Sequence, residues 1–215
     1  KMFVETLMMG RAESEDEKKE YLQIIAAETE RLSSLIDRIL SFARMEQKKR
    51  VFNFVPRDIG DSIEYVVNDF QNQMLGKSCS IRIEITPNLP EIPIDEEAMR
   101  EALMNLLSNA YKYNNKTEKI IEMKAFLHGN DCIAISVKDN GIGIPRNEFK
   151  RIFQKFYRVQ DTITREIEGT GLGLSLVKTI VKAHRGKIKV QSKIDQGSEL
   201  DRKSTRLNSS HGKLS

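Results

Sequence analysis

Between Glu15 and Lys49 the chain contains neither glycine nor proline, the residues that most readily end a helix. Ile25, Leu32 and Ile39 recur at seven-residue intervals, with Leu35 and Phe42 in the intervening position. A seven-residue apolar repeat marks a helix that buries one narrow stripe against other helices. Met2 to Met9 predicts a short helix before it, Gly10 a turn, and Ser14 a cap ahead of the acidic first turn Glu15-Asp16-Glu17. Residues 1–48 therefore read as a helical hairpin. One hairpin leaves its stripe facing water, so two of them from two chains are expected to form a dimeric four-helix bundle.

After Lys48-Lys49-Arg50 the pattern changes to alternating strands and helices. The spacing predicts a strand over Val51 to Val55, a helix from about Asp58 to Met74, and a strand over Cys79 to Thr86. A second helix follows from about Glu96 to Tyr113, capped by Asp95. Strands are expected over Lys119 to Leu127 and Cys132 to Asp139, joined through a Gly129-Asn130 turn. A third helix spans about Leu172 to His184 and leads into a strand over Lys187 to Ser192. Three main helices and five or more strands fit an α+β, two-layer α/β sandwich with a mixed sheet over residues 49–200. Residues 201–215 are polar and read as a disordered tail, a cloning scar in place of a native final strand. The irregular segment between Phe153 and Gly169 suits a functional lid.

With 39% hydrophobic and 31% charged residues, the chain can bury a sizeable core in water. No apolar run reaches the roughly 18 residues that span a bilayer, and no signal peptide precedes it, so a cytoplasmic location is expected. Cys79 and Cys132 fit two buried, unbridged thiols in a reducing compartment. The net charge of +4 is spread among alternating signs, which argues against nucleic-acid binding.

Three separated segments carry the chemistry. On the second helix Glu101, Asn105, Asn109 and Lys112 share one face and Met99, Leu103, Leu106, Leu107 and Ala110 the other. An amide oxygen is a hard ligand suited to Mg²⁺, which needs few protein groups besides water and phosphate. Lys112 could neutralise phosphate charge, and Tyr113 could cover a base or ribose. At the end of a strand, Asp139 could accept the exocyclic amine of adenine, where guanine would present a carbonyl and be repelled. The adjacent Gly141 and Gly143 admit a purine close to the backbone. Gly169-Thr170-Gly171-Leu172-Gly173 opens a helix whose unpaired N–H groups suit a polyphosphate.

In this order the segments resemble the boxes of sensor histidine kinases. Asn105-Leu-Leu-Ser-Asn109-Ala-Tyr-Lys112-Tyr113 is similar to the N box, and Asp139-Asn-Gly141-Ile-Gly143-Ile144-Pro to the first glycine box. Phe153-Gln-Lys-Phe156-Tyr-Arg158 resembles the F box, and Gly169-Thr170-Gly171-Leu172-Gly173-Leu174-Ser the second glycine box. The resemblance implies ATP and Mg²⁺ as ligands, with Asn109 on the metal, Lys112 and Arg158 on phosphates, Tyr113 on the nucleoside and Asp139 on adenine. The remaining glycines, with Thr170, Ile144, Phe156, Leu172 and Leu174, would line the nucleotide and its lid. It also implies a homodimer through the N-terminal helices and relay of a histidine-borne phosphoryl group to a cognate response regulator. The parent protein would sit at the inner face of the cell membrane, associated with it through upstream segments absent here.

Related gyrase and mismatch-repair ATPases carry a general-base Glu four residues before the metal Asn. This chain has Asn105 there, and an amide cannot activate water. Hydrolysis is thus disfavoured, and the resemblance implies transfer to a histidine; the alternatives are an ATP hydrolase or a non-catalytic nucleotide-binding dimerisation module. The acceptor motif of the family is missing from the sequence. His128 falls at a hairpin turn, His184 at a helix end and His211 in the tail, so autophosphorylation is not expected of this chain.

Overall fold

The computed structural model describes residues 2–12, 14–46, 50–75, 78–129, 132–159, 167 and 169–206. The chain divides into two compact units, Lys1–Arg50 and Val51–Ser215.

The first unit is the expected hairpin of α1 (Met2–Met8) and α2 (Glu15–Glu46). Gly10 turns the chain at φ +62°, and the Glu17 N–H donates to Ser14 Oγ at 3.1 Å, so Ser14 caps α2. Phe3 packs on Tyr21 with ring centroids 4.9 Å apart. Leu22, Leu32, Ile36 and Leu40 remain exposed. The side chains of Leu35, Ile39 and Phe42 lie outside the described residues. No helix among the described residues is long and apolar enough to cross a membrane.

The second unit is a two-layer sandwich. Its elements are β1 (Val55–Arg57), α3 (Ile59–Gln73), β2 (Ser80–Ile85), β3 (Ile92–Ile94), α4 (Glu96–Lys112), β4 (Ile120–His128), β5 (Cys132–Asp139), α5 (Gly173–Ala183), β6 (Lys187–Lys193) and β7 (Gly197–Arg206). The main sheet has the order β2-β4-β5-β7-β6, with β2 and β4 parallel and the other pairs antiparallel. One face of it meets the apolar faces of α3, α4 and α5 around Ile63, Phe70, Leu103, Leu107, Val177 and Ile180, all essentially inaccessible to water. The opposite face carries polar rows, including Lys124 Nζ 2.7 Å from Glu84 Oε2 and Ser136 Oγ donating to Glu199 Oε1 at 2.7 Å.

Three expectations are corrected, those for the first strand, the polar C-terminal run and the burial of the two cysteines. The first strand lies at Val55–Arg57, pairing with β3, while Phe52 and Phe54 instead set their edges against the His184 ring, 6.1 and 5.0 Å between centroids. His184 does end α5, but it is buried. Its Nδ1–H donates to the Ile180 carbonyl at 2.9 Å and its Nε2 accepts the Asp95 N–H at 3.0 Å. The polar C-terminal run is a strand through Arg206, not a tail from residue 201, and it lies between β5 and β6. Neighbours pair with its backbone on both sides as far as Lys203 and on the β5 side beyond it, Ser198 and Leu200 turn inward, and Glu199 finds Ser136 across the ladder. The final strand of the sheet is therefore in place. Residues 207–215, with His211, lie outside the described residues. Cys79 and Cys132 are unbridged but half-buried.

Candidate nucleotide site

The N-terminus of α4 is fixed first. Asp95 Oδ1 accepts the Ala98 N–H at 2.8 Å and Oδ2 accepts the Asn53 N–H at 2.7 Å, so one nearly buried carboxylate caps the helix and holds the incoming chain. Met99, Leu103, Leu106, Leu107 and Ala110 are buried as expected. Their burial turns Asn105, Asn109 and Lys112 away from the core.

The start of α5 meets that polar face. A Cβ on Gly173 would lie 2.9 Å from Asn105 Oδ1 and 3.8 Å from Asn109 Nδ2, so glycine lets the helix begin beside both amides without displacing the Asn105 side chain. Asn105 Nδ2 donates to the Glu101 carbonyl at 2.8 Å, which leaves its oxygen facing Gly173. The Tyr113 hydroxyl lies 3.9 Å from the Cβ position of Gly169. Leu172 is buried, its N–H bound by Thr170 Oγ1 at 3.3 Å, and acts as a core anchor for the loop.

Asp139 closes the third side. Its Oδ1 accepts N–H groups from Gly141 at 2.8 Å and Ser198 at 3.3 Å, and Oδ2 has no partner among the described residues. That oxygen is available to a ligand amine. Burial pushes the Asp139 carboxyl above its ordinary pKa, and the two N–H bonds offset only part of this. Gly143, at φ +74°, brings the loop onto the β6–β7 hairpin, where a Cβ would lie 2.2 Å from the Lys193 carbonyl oxygen. The Ile144 N–H donates to Ser192 Oγ at 2.7 Å, so this residue fastens the loop to β6.

Two further candidate residues lie along the F-box segment. Phe156 has φ +59° and is 68% exposed, and its backbone packs where a Cβ on Gly171 would sit, 2.7 Å from the Phe156 carbonyl carbon. Arg158 donates to the Ile167 carbonyl. Residues 160–166 and 168 of the expected lid lie outside the described residues. Nearby, the buried Glu148 accepts from the Tyr157 hydroxyl, Asn147 Nδ2 and Arg151, and none of these stands out in the sequence. Their polar, aperiodic spacing carries no signal of its own.

The segments that the sequence separates by about thirty residues at a time thus converge on the C-terminal half of α4. The family model described as histidine kinase-, DNA gyrase B-, and HSP90-like ATPase matches residues 94–203, and the His Kinase A (phospho-acceptor) domain model matches residues 1–48. The chain belongs to the sensor histidine kinases. Among curated relatives, the drug sensory protein A of Synechocystis sp. is 32% identical over 206 residues, covering 92% of this chain and 31% of its own length. The sensor histidine kinase WalK of Bacillus subtilis is 30% identical over 202 residues, covering 92% and 32%. The chain therefore spans about a third of the curated relatives it matches. The crystal structure of full-length ShkA in complex with AMPPNP is similar with a TM-score of 0.75 and 26% identity, covering 87% of this chain and 38% of that one. This portion is the ATP-binding catalytic part of such a kinase, with a phospho-acceptor-type helical region before it.

Proposed function

We propose that this chain binds MgATP between α4, the Asp139 loop and the start of α5, and donates the γ-phosphoryl group to a histidine on a phospho-acceptor helix. The observation that carries the reading is the approach of Gly173 to Asn105 and Asn109 on the same helix end whose Tyr113 reaches Gly169. In this reading Asp139 Oδ2 accepts the adenine amine, Tyr113 covers the nucleoside, and Asn109 holds Mg²⁺ through its amide oxygen. The glycine at position 173 keeps the start of α5 free of a side chain beside the Asn105 and Asn109 amides, which supports close approach of a phosphate there. The metal would supply charge neutralisation at the phosphates, and Lys112 and Arg158 would add to it. Asn105 cannot take a proton from water, so the terminal phosphate is kept for a better nucleophile. A neutral imidazole nitrogen would form the N–P bond as the bridging P–O bond breaks and ADP leaves with the electron pair.

Residues 1–48 serve in this reading as the dimerisation and phosphotransfer hairpin, residues 49–200 with the rest of β7 as the catalytic domain. The exposed stripe on α2 supports a homodimer through the N-terminal helices. The partner downstream is a response-regulator aspartate. Sensing and any membrane anchor belong to the rest of a longer protein, with this portion at its cytoplasmic side.

Calorimetric titration of MgATP into the wild type and Asp139→Asn tests the pocket. Binding by the wild type that is lost in the variant is expected; a folded wild type that binds no ATP refutes the reading. Transfer is tested by mixing the chain with a family phospho-acceptor fragment and [γ-³²P]ATP, which should yield acid-labile phosphate. Free phosphate release in its place would favour a hydrolase.

A further inference from the structure

Asp139 and Tyr113 stand on different elements, and a base held between them is selected only if their separation is fixed. Two asparagines adjacent to them supply that constraint. Asn114 follows Tyr113 at the end of α4 and is only 3% exposed, and Asn140 follows Asp139 at the end of β5. Asn114 Nδ2 donates to Asn140 Oδ1 at 2.6 Å. The same Oδ1 accepts the Ile120 N–H at 2.9 Å, and Asn140 Nδ2 donates to the Glu118 carbonyl at 3.0 Å. Asn114 Oδ1 accepts the Lys116 N–H at 3.1 Å. The Asn140 side chain thus binds both ends of the connection between α4 and β4. Its amide cannot turn over, because Nδ2 would then face two donors.

The backbone alone gives a narrower join. The Ile142 N–H donates to the Tyr113 carbonyl at 3.1 Å, the Asn140 N–H to the Ile120 carbonyl at 3.3 Å, and Gly141 leaves room for the Tyr113 oxygen 2.3 Å from its Cβ position. These contacts set proximity, and the amide pair adds a short, part-buried bond across it.

We propose that Asn114 and Asn140 are positioning residues that make the site selective for adenine over guanine. The inference rests on the reading of Asp139 as the base-recognising carboxylate. Asp139 Oδ1 is already held by Gly141 and Ser198, so Oδ2 is aimed by the loop as a whole. Guanine places an oxygen against it. That repulsion is strong only while the carboxylate cannot retreat or admit a water. Loosening the loop relieves the penalty on guanine more than it weakens adenine, which can follow the carboxylate through one hydrogen bond. The Asn114–Asn140 bond therefore governs the ratio of the two affinities more than either affinity alone.

The test is displacement of a fluorescent ATP analogue by ATP and by GTP, with Mg²⁺ present, on the whole chain. Asn114→Asp keeps the acceptor for Lys116 and sets an oxygen against Asn140 Oδ1. The ATP-to-GTP preference should fall about tenfold or more, with ATP affinity changing only about threefold. Asn140→Asp keeps both accepted N–H bonds, including the one from Asn114, and sets an oxygen against the Glu118 carbonyl instead; because the Asn114 bond survives, it should retain most of the preference. A thermal melt establishes that each variant is folded. If Asn114→Asp does not fold, Asn114→Ala removes the bond without opposing two oxygens and carries the same expectation. An unchanged preference in a folded Asn114 variant, or equal loss in Asn140→Asp, overturns the positioning role while leaving the ATP site standing. A wild type that binds ATP and GTP equally overturns the base-reading role of Asp139, and this inference with it.

Discussion

On α2, Leu22, Leu32, Ile36 and Leu40 stand between 48% and 58% exposed, while Leu103, Leu107, Val177 and Ile180 of the sandwich stand at 1% or less. Both sets lie at helical spacing in the sequence. The difference is that α4 and α5 have a sheet to cover, and within the first unit the described partner of α2 is the seven-residue α1. The sandwich closes its own core. The hairpin exposes the stripe through which a second copy would complete one.

Cavity formation should separate the two regions most strongly. Leu103→Ala removes a side chain at 1% exposure and should cost about 3 kcal/mol, lowering the sandwich melting midpoint by roughly 6–12 °C in calorimetry. A loss comparable to that of a surface leucine would mean that the core is not packed as described. Leu32→Ala with Ile36→Ala should leave the sandwich transition in place, shifting it by less than about 0.5 kcal/mol. Its effect should appear as a lower molar mass in light scattering coupled to size exclusion. An unchanged mass in a wild type that is already dimeric would place the dimer contact elsewhere.

Gly143→Ala probes the site side of the sandwich. The new Cβ would meet the Lys193 carbonyl at a left-handed φ, so a loss of about 2 kcal/mol or more is expected together with weaker ATP binding. Denaturant titration and calorimetry read the two effects separately.

The smallest expected effect concerns Asp139. Because burial raises its pKa in the folded state, the folded chain takes up this proton before the unfolded chain does. Stability from this group therefore falls as pH rises from the ordinary carboxylate value through the raised one, and the ionised form is a net cost at neutral pH. Asp139→Asn should raise the ligand-free melting midpoint at pH 7, with the gain vanishing in acid. ATP affinity of the wild type should weaken as pH drops through the same window. A variant melting below the wild type at pH 7 would show that the Gly141 and Ser198 bonds to the carboxylate outweigh its desolvation.

Much of the fold is legible in the residue order. The caps Ser14, Asp58 and Asp95 fall where a polar residue precedes an acidic or apolar run, and each accepts a backbone N–H at its helix start. The apolar face of α4 is readable from period alone, and with it the outward face bearing Asn105 and Asn109. β3 escapes such a reading because Pro93 interrupts its three residues, a pattern tolerated where only one neighbour pairs with it. β7 escapes it because its residues are polar, and a strand's outer row can be polar when the adjacent strands supply partners. The burial of His184 and the roles of Asn114 and Asn140 have no local signal. Each depends on a group distant in the chain, Asp95 for the first and the opposite asparagine for the others.

Residue spacing, with the identity of the residues that end or cap each helix, is enough to set the two-part organisation, the helices and the order of the glycine-rich segments. It does not bring Gly173 against Asn105 and Asn109, leave Asp139 Oδ2 without a partner among the described residues, or make a polar run an inner strand. Those outcomes belong to the folded chain. They turn on contacts between elements far apart in the sequence, where hydrogen-bond satisfaction and steric room are set by the partner and not by the local residues.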